Sequence, residues 1–239
     1  MSDNKLIIAA AESIVCSIHK LIDNMQPPTT SPSRLRVALF LAIAEHFEAA
    51  MHLIHVSMES HAAVHVRAML EGLVDMSTLG KDAKHVDKKK FKTLKEEIKM
   101  YQELLNYPIL PVESKLFIQG KLDDCQTVFG TLHATKSRNQ NKIEEIAEAD
   151  LPDLVVPYIM LCGFSHNDLS ILAMRHQGDD AMTYMAPVDP LVVALILSIA
   201  LRIMMAATQP LPDIASFPNG LFDEVLQDMN NAWGRVLPV

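Results

Sequence analysis

The stretch LRVALFLAIAEHFEAAMHLIHVSMESHAAVHVRAMLEGLVDMSTL, residues 35–79, decides the fold. An α-helix turns once in about 3.6 residues, and Phe40, Ile43, Phe47, Ala50 and Ile54 return on that period to one face. Glu45, Glu48, His52 and His55 share an arc nearly opposite. This predicts a helix from about Ser33 to Val56. A second helix should begin at 57–60 and stop at Gly80, a residue suited to a left-handed cap. The short connection makes the two helices antiparallel neighbours, and the remaining chain is expected to pack around them.

Working outward, Ser2, Asp3 and Asn4 offer N-caps for a helix running to about Met25. Its stripe is Ile7, Ala11, Ile14, Ile18 and Leu21, which could cover one side of the bundle or pair with a second subunit. Prolines at 27, 28 and 32 mark the connector that follows. Beyond Gly80, Phe91, Leu94, Ile98, Tyr101 and Leu105 stripe a long helix from about Asp82 to Asn106, coated by seven lysines and ended by Pro108 and Pro111. A helix from Glu113 to about Leu132, a loop at 135–141 and a short helix near 143–149 come next. Pro152 suits the first turn of a helix through Val155, Tyr158 and Cys162, with Gly163 to Asp168 at its end. Residues 171–185 read as a small β-hairpin or as a loop with helical turns. The most apolar helix, 191–208, contains Arg202 and lacks basic or aromatic flanks, so it reads as a core helix and not a membrane span. The last helix carries Phe222, Val225, Leu226, Met229 and Trp233. The expectation is one all-α domain, 1–239, of seven to nine helices, in blocks 1–26, 33–80, 82–133, 150–208 and 219–236.

Composition agrees: 49% apolar residues, 5% aromatic and only eight glycines favour helices with a sizeable core. The formal charge of −8 argues against wholesale nucleic-acid or anionic-membrane binding. Residues 81–142 nevertheless carry 13 Lys and Arg against 8 Asp and Glu, a basic middle within an acidic body. Three separated cysteines without a CxxC pair read as free thiols, and the N-terminus lacks a signal-peptide pattern. A cytoplasmic protein is expected.

Four groups of residues could carry chemistry. Glu45, Glu48, His52 and His55, with His61 and His65 across the turn, could bind iron, manganese or zinc between helices. Glu48, His52 and His55 are the metal candidates, although neither HExxH nor a repeated Glu-x-x-His is present; otherwise no cofactor is expected. Arg67 and Glu71 lie within about 40° on a helical wheel, flanked by Val64, Leu70 and Val74. They form either a structural ion pair or a guanidinium placed for an anion. Tyr158, Ser165 and His166 stand near a helix end. Adjacent Ser and His point about 100° apart, so they make no nucleophile–base pair, and no Gly-x-Ser-x-Gly elbow is present. His166 is the better base or anion contact. The lysines of 81–99 read first as a solvated face and second as an RNA or acidic-partner surface, with few interleaved aromatics for base stacking.

The run 45–76, above all His65-Val-Arg67-Ala-Met-Leu-Glu71, followed by Tyr158…Ser165-His166, resembles a group of uncharacterised bacterial helical proteins. These share an Arg-(Ser/Ala)-x-x-Glu helix and a later Tyr…Ser…His segment, and the resemblance covers about 35–176. It implies an all-helical fold and no established activity. More distantly the chain is similar to HEPN-type domains, many of them metal-independent endoribonucleases of toxin or phage-defence systems. Their motif is an Arg and a His with four to six residues between them, at a dimer interface. The chain departs from it, since Ile159, Met160 and Leu161 occupy the positions before His166 where the Arg would stand.

The leading reading is a homodimeric helical bundle whose polar pocket, built from Arg67, Glu71, Tyr158, Ser165 and His166, binds a small anionic ligand or is structural. The alternative is a HEPN-like ribonuclease acting on RNA, with Arg67 and His166 as catalytic candidates. A metal-dependent enzyme on the His-rich face comes third. The distance between Arg67 and His166 decides whether the two segments form one site.

Overall fold

A computed structural model describes residues 3–132, 141–166, 168–177 and 181–236. The loop expected at 135–141 falls mostly outside them. Among the described residues there are ten α-helices: α1 (Asp3–Asn24), α2 (Ser31–His55), α3 (Glu59–Lys81), α4 (His85–Leu105), α5 (Val112–Thr131), α6 (Lys142–Glu148), α7 (Val155–His166), α8 (Leu169–His176), α9 (Pro190–Thr208) and α10 (Leu221–Gly234). The chain divides into two compact units, one formed by Met1–Gly80 with Lys142–Val239 and the other by Lys81–Asn141.

In the first unit, α1 packs on α2, α9 and α10. Its stripe of Ile7, Ala11, Ile14, Ile18 and Leu21 is buried, so the unit covers this face without a second subunit. α2 buries the stripe read from sequence, Phe40, Ile43, Phe47, Ala50 and Ile54, together with Val37, Ala44 and Met51. It ends in a Schellman-type turn in which the Met58 amide donates to the Leu53 carbonyl at 2.8 Å. Ser57 takes the left-handed position usually given to glycine, with φ of 58°. α3 then returns along α2. The two helices approach closely at Gly72, where an added Cβ would lie 2.9 Å from Ile43 Cγ1.

Gly80 does not end α3, which continues to Lys81. Its lack of a side chain serves packing instead, because a Cβ there would meet the Arg36 guanidinium at 3.1 Å. α9 begins at Pro190, with Asp189 accepting from the Leu191 amide at 2.8 Å. By length and composition, α2 and the segment Pro190–Asp213 are apolar enough to cross a membrane. In this unit α9 is a core helix, with Ile196, Leu197, Leu201, Ile203 and Met204 buried. Its Arg202 pairs with Asp153, in the 3-10 turn Pro152–Leu154 that precedes α7.

The helix beyond the expected nine is α8, in the stretch that read as a small β-hairpin or as a loop with helical turns, and the helical alternative is the one that forms. Leu169-Ser-Ile-Leu-Ala-Met-Arg-His contains one β-branched residue and five good helix formers, so local propensity favours a helix over alternation. What remains of the hairpin is an isolated antiparallel bridge between Gln177 and Met182. Residues 178–180 lie outside the described residues.

The second unit is the hairpin of α4 and α5. Leu94 and Leu122 are buried, the rings of Phe91 and Phe129 stack at 4.7 Å, and Cys125 Sγ donates to Glu97 at 3.6 Å. The α4 lysines are mostly exposed, as a solvated face requires.

Candidate functional site

α3 presents Arg67 and, one turn later, Glu71. α7 presents Tyr158, Cys162 and His166, three residues spaced by four and therefore on one helical face. Packing joins these two rows. Arg67 Nε donates to Glu71 Oε1 at 3.1 Å, and Arg67 Nη1 lies 3.1 Å from His166 Nε2, across 99 residues of sequence. The guanidinium carbon stands 5.6 Å from the centre of the Tyr158 ring, within cation–π range.

The donor inventory fixes the state of the histidine. A guanidinium carries N–H donors and no acceptor, so His166 Nε2 must accept, and its ring proton must sit on Nδ1. His166 is thus a neutral imidazole in this arrangement, with Nδ1–H left for another partner.

The electrostatics follow from partial burial. Burial alone would lower the Arg67 pKa, but the neighbouring Cys162, Glu71 and Tyr158 outweigh it and raise it further. The guanidinium is therefore a permanent charge. Burial, followed by the hydrogen bond and charge of Cys162, pushes the Tyr158 phenol above its ordinary value of 10, so it stays protonated at neutral pH. The Arg67–Glu71 side chains are 21% and 37% exposed. A pair that open to water contributes under about 1 kcal/mol, and with one carboxylate it does not saturate the five N–H donors of the guanidinium.

Four of the five residues singled out in the sequence come together: Arg67, Glu71, Tyr158 and His166. Ser165 does not join them. Its hydroxyl donates back to the Leu161 carbonyl at 3.2 Å, the local bond a serine makes within a helix. Cys162 was missed, having been read as one thiol in an apolar run. Its signal was the Tyr158-x3-Cys162-x3-His166 spacing. Past His166, the Asp168 amide donates to the Gly163 carbonyl at 3.2 Å. A Cβ on Gly163 would lie 3.2 Å from the Asp168 carboxylate, so a small residue there lets the chain fold back.

The histidines of the central hairpin divide differently from the metal expectation. Glu48 pairs with His19 at 2.5 Å and His55 with Glu12 at 3.3 Å, both across the α1–α2 seam, while His52 is exposed. Among the described residues, no three His, Cys, Asp or Glu side chains gather as a metal site would require. Glu48, His52 and His55 are therefore not brought together. His46 and His65 instead meet Nδ1 to Nδ1 at 3.1 Å, and burial followed by His46 lowers the His65 pKa. Arg175 Nη2 lies 2.8 Å from His61 Nε2. The second contact is the reciprocal of the first: α3 gives Arg67 to the histidine of α7 and receives Arg175 of α8 on its own histidine.

Fold and site together define an all-helical protein with a charged cluster held between two helices. The chain belongs to a family of unknown function (DUF5677), whose model matches residues 35–183. That span contains α3 and α7, and so every member of the cluster. No curated protein and no solved structure matches the chain.

Proposed function

We propose that the protein binds a small anionic ligand at Arg67, with His166 and Tyr158 orienting it. The contact between the Arg67 guanidinium and His166 Nε2 at 3.1 Å carries this reading. It gives one locus a fixed positive charge, an imidazole N–H and a protonated phenol, donors suited to a carboxylate or phosphate. Glu71 holds the guanidinium fork in place and leaves N–H groups over.

Titration with phosphate and with a dicarboxylate tests it, followed by the His166 ring resonances. Saturable shifts that weaken about ten-fold, or about 1.4 kcal/mol, in Arg67→Met are expected. Shifts of equal affinity in wild type and Arg67→Met would reject the reading.

The same contact favours a second reading, a HEPN-like ribonuclease. There His166 would take the proton of a 2′-hydroxyl as that oxygen attacks the adjacent phosphorus; the P–O5′ bond would break to leave a 2′,3′-cyclic phosphate, the departing 5′-oxygen would take a proton from water, and Arg67 would stabilise the charge on the phosphate oxygens. Arg67 would first have to release Nε2 to free the base. RNA cleavage by purified protein that disappears in His166→Ala supports this reading; no cleavage by clean wild-type protein rejects it.

A further inference from the structure

α1 and α10 pack side by side, and along one side of their seam lies an open cleft of about 330 Å³. α1 lines it with Ser13, Ser17 and Lys20, and α10 with Asp228, Asn231 and Ala232. Spacings of three and four residues keep each set on one helical face. Lys20 Nζ donates to Glu224 Oε1 at 2.6 Å and so ties the two helices at one end. No residue is shared with the Arg67 cluster.

Ser17 sets this cleft apart. Among the described residues the buried polar side chains are Ser17, Ser60 and Thr208. Thr208 Oγ1 donates to the Met204 carbonyl at 2.9 Å, and Ser60 Oγ lies 3.4 Å from His61 Nδ1. Ser17 is only 8% exposed, yet its hydroxyl is bonded to no described residue. Buried hydroxyls are paired as a rule, because one taken from water and left alone is costly. Ser17 lines the cleft, so the group that completes its hydrogen bonding enters from there.

The walls decide what that group is. Asn231 Oδ1 already accepts from Gln227 Nε2 at 3.0 Å, which leaves Asn231 with its amide N–H donors. Asp228, one turn earlier on the same face, has carboxylate oxygens that only accept. Side chains at this spacing stand roughly 5–6 Å apart. An acceptor beside a donor matches two neighbouring hydroxyls, one donating to Asp228 and the other accepting from Asn231. Across the seam, Ser17 can donate or accept, as a third hydroxyl requires. Charges of both signs share the walls, Lys20 and Arg235 with Asp228, so hydrogen bonding and not net charge selects the ligand. The volume lies at the small end of ligand sites, which suits a single ring.

We infer that the α1–α10 cleft binds a neutral ring bearing vicinal hydroxyls, of the monosaccharide or cyclitol class. Asp228 and Asn231 clasp an adjacent pair of hydroxyls, and Ser17 takes a third. Ala232, 4% exposed, gives the ring's C–H groups an apolar floor. With an open mouth and no aromatic ring among the lining residues, the affinity is on the order of millimolar. The inference is independent of any ligand at Arg67.

The test is a series of ¹H–¹⁵N correlation spectra of the full chain, titrated with glucose and with myo-inositol, and with 2-propanol and acetate as comparisons. Saturable shifts confined to the amides of α1 and α10 are expected for the two polyols. They should weaken about ten-fold in Asp228→Ala and in Ser17→Ala. Ser17→Ala should also unfold at the wild-type temperature; a lower one would show the hydroxyl paired inside the protein and remove the case for the cleft. No saturable shift with either polyol would overturn the assignment. So would equal shifts from 2-propanol or acetate, shifts centred on other helices, or polyol binding that keeps wild-type affinity in either variant.

Discussion

Gly72→Ala probes the contact that sets α3, and with it Arg67, against α2. The new Cβ would lie 2.9 Å from Ile43 Cγ1 and face Cδ1 at 3.4 Å, and Ile43 is only 1% exposed, with nowhere to swing. Overpacking of this kind costs about 1–3 kcal/mol. Replacing a helical glycine by alanine returns about 0.8–1.0 kcal/mol. The net is a destabilisation of about 0–2 kcal/mol, or a few degrees in Tm at roughly 2–4 °C per kcal/mol for a chain of this size. The sharper reading is a double-mutant cycle with Ile43→Ala. Alone, that change should cost about 2–5 kcal/mol. In the Gly72→Ala background it should cost about 1–3 kcal/mol less, because it also removes the clash. Urea unfolding of the four proteins supplies the numbers. Additivity within about 0.5 kcal/mol would refute the claim that these two residues set the spacing of the helix pair.

Two further outcomes follow from titratable groups. His61 and His65 have folded-state pKa values below the ordinary 6.5, so the unfolded chain binds more protons and stability rises with pH in that range. Their contribution is present above pH 6.5 and is lost as pH falls below it toward the folded values. Thermal unfolding on both sides of 6.5 should show this loss, shrinking in His61→Gln; a flat profile down to pH 5 or so would contradict it. In the α4–α5 hairpin, burial followed by Glu97 raises the Cys125 pKa. Iodoacetamide should therefore modify Cys125 slowly at neutral pH, and Glu97→Gln should speed it, as mass spectrometry would report.

The helices that pack longest against the core were the most legible. Phe40, Ile43, Phe47, Ala50 and Ile54 announce α2 because burial repeats with the helical period, and all five are buried. α8 was obscure because eight residues span barely two turns, and its side chains are only partly covered. Gly80 misled for a physical reason, since a missing Cβ serves a close approach as well as a left-handed cap. The Arg67–Glu71 pair could be read from spacing and apolar flanks. Its meeting with His166 could not, because a contact across 99 residues is made by tertiary packing. The pairing of Glu48 and His55 with His19 and Glu12 of α1 was hidden in the same way.

The central claim is that Arg67 and His166 form one site, and ¹H–¹⁵N correlation of the imidazole rings tests it most directly. With Arg67 donating to Nε2, the His166 ring should carry its proton on Nδ1, with Nε2 shifted as a hydrogen-bond acceptor. Arg67→Met should abolish that signature while leaving the helical circular dichroism unchanged. A His166 ring protonated on Nε2, or one indifferent to Arg67→Met, would contradict the account.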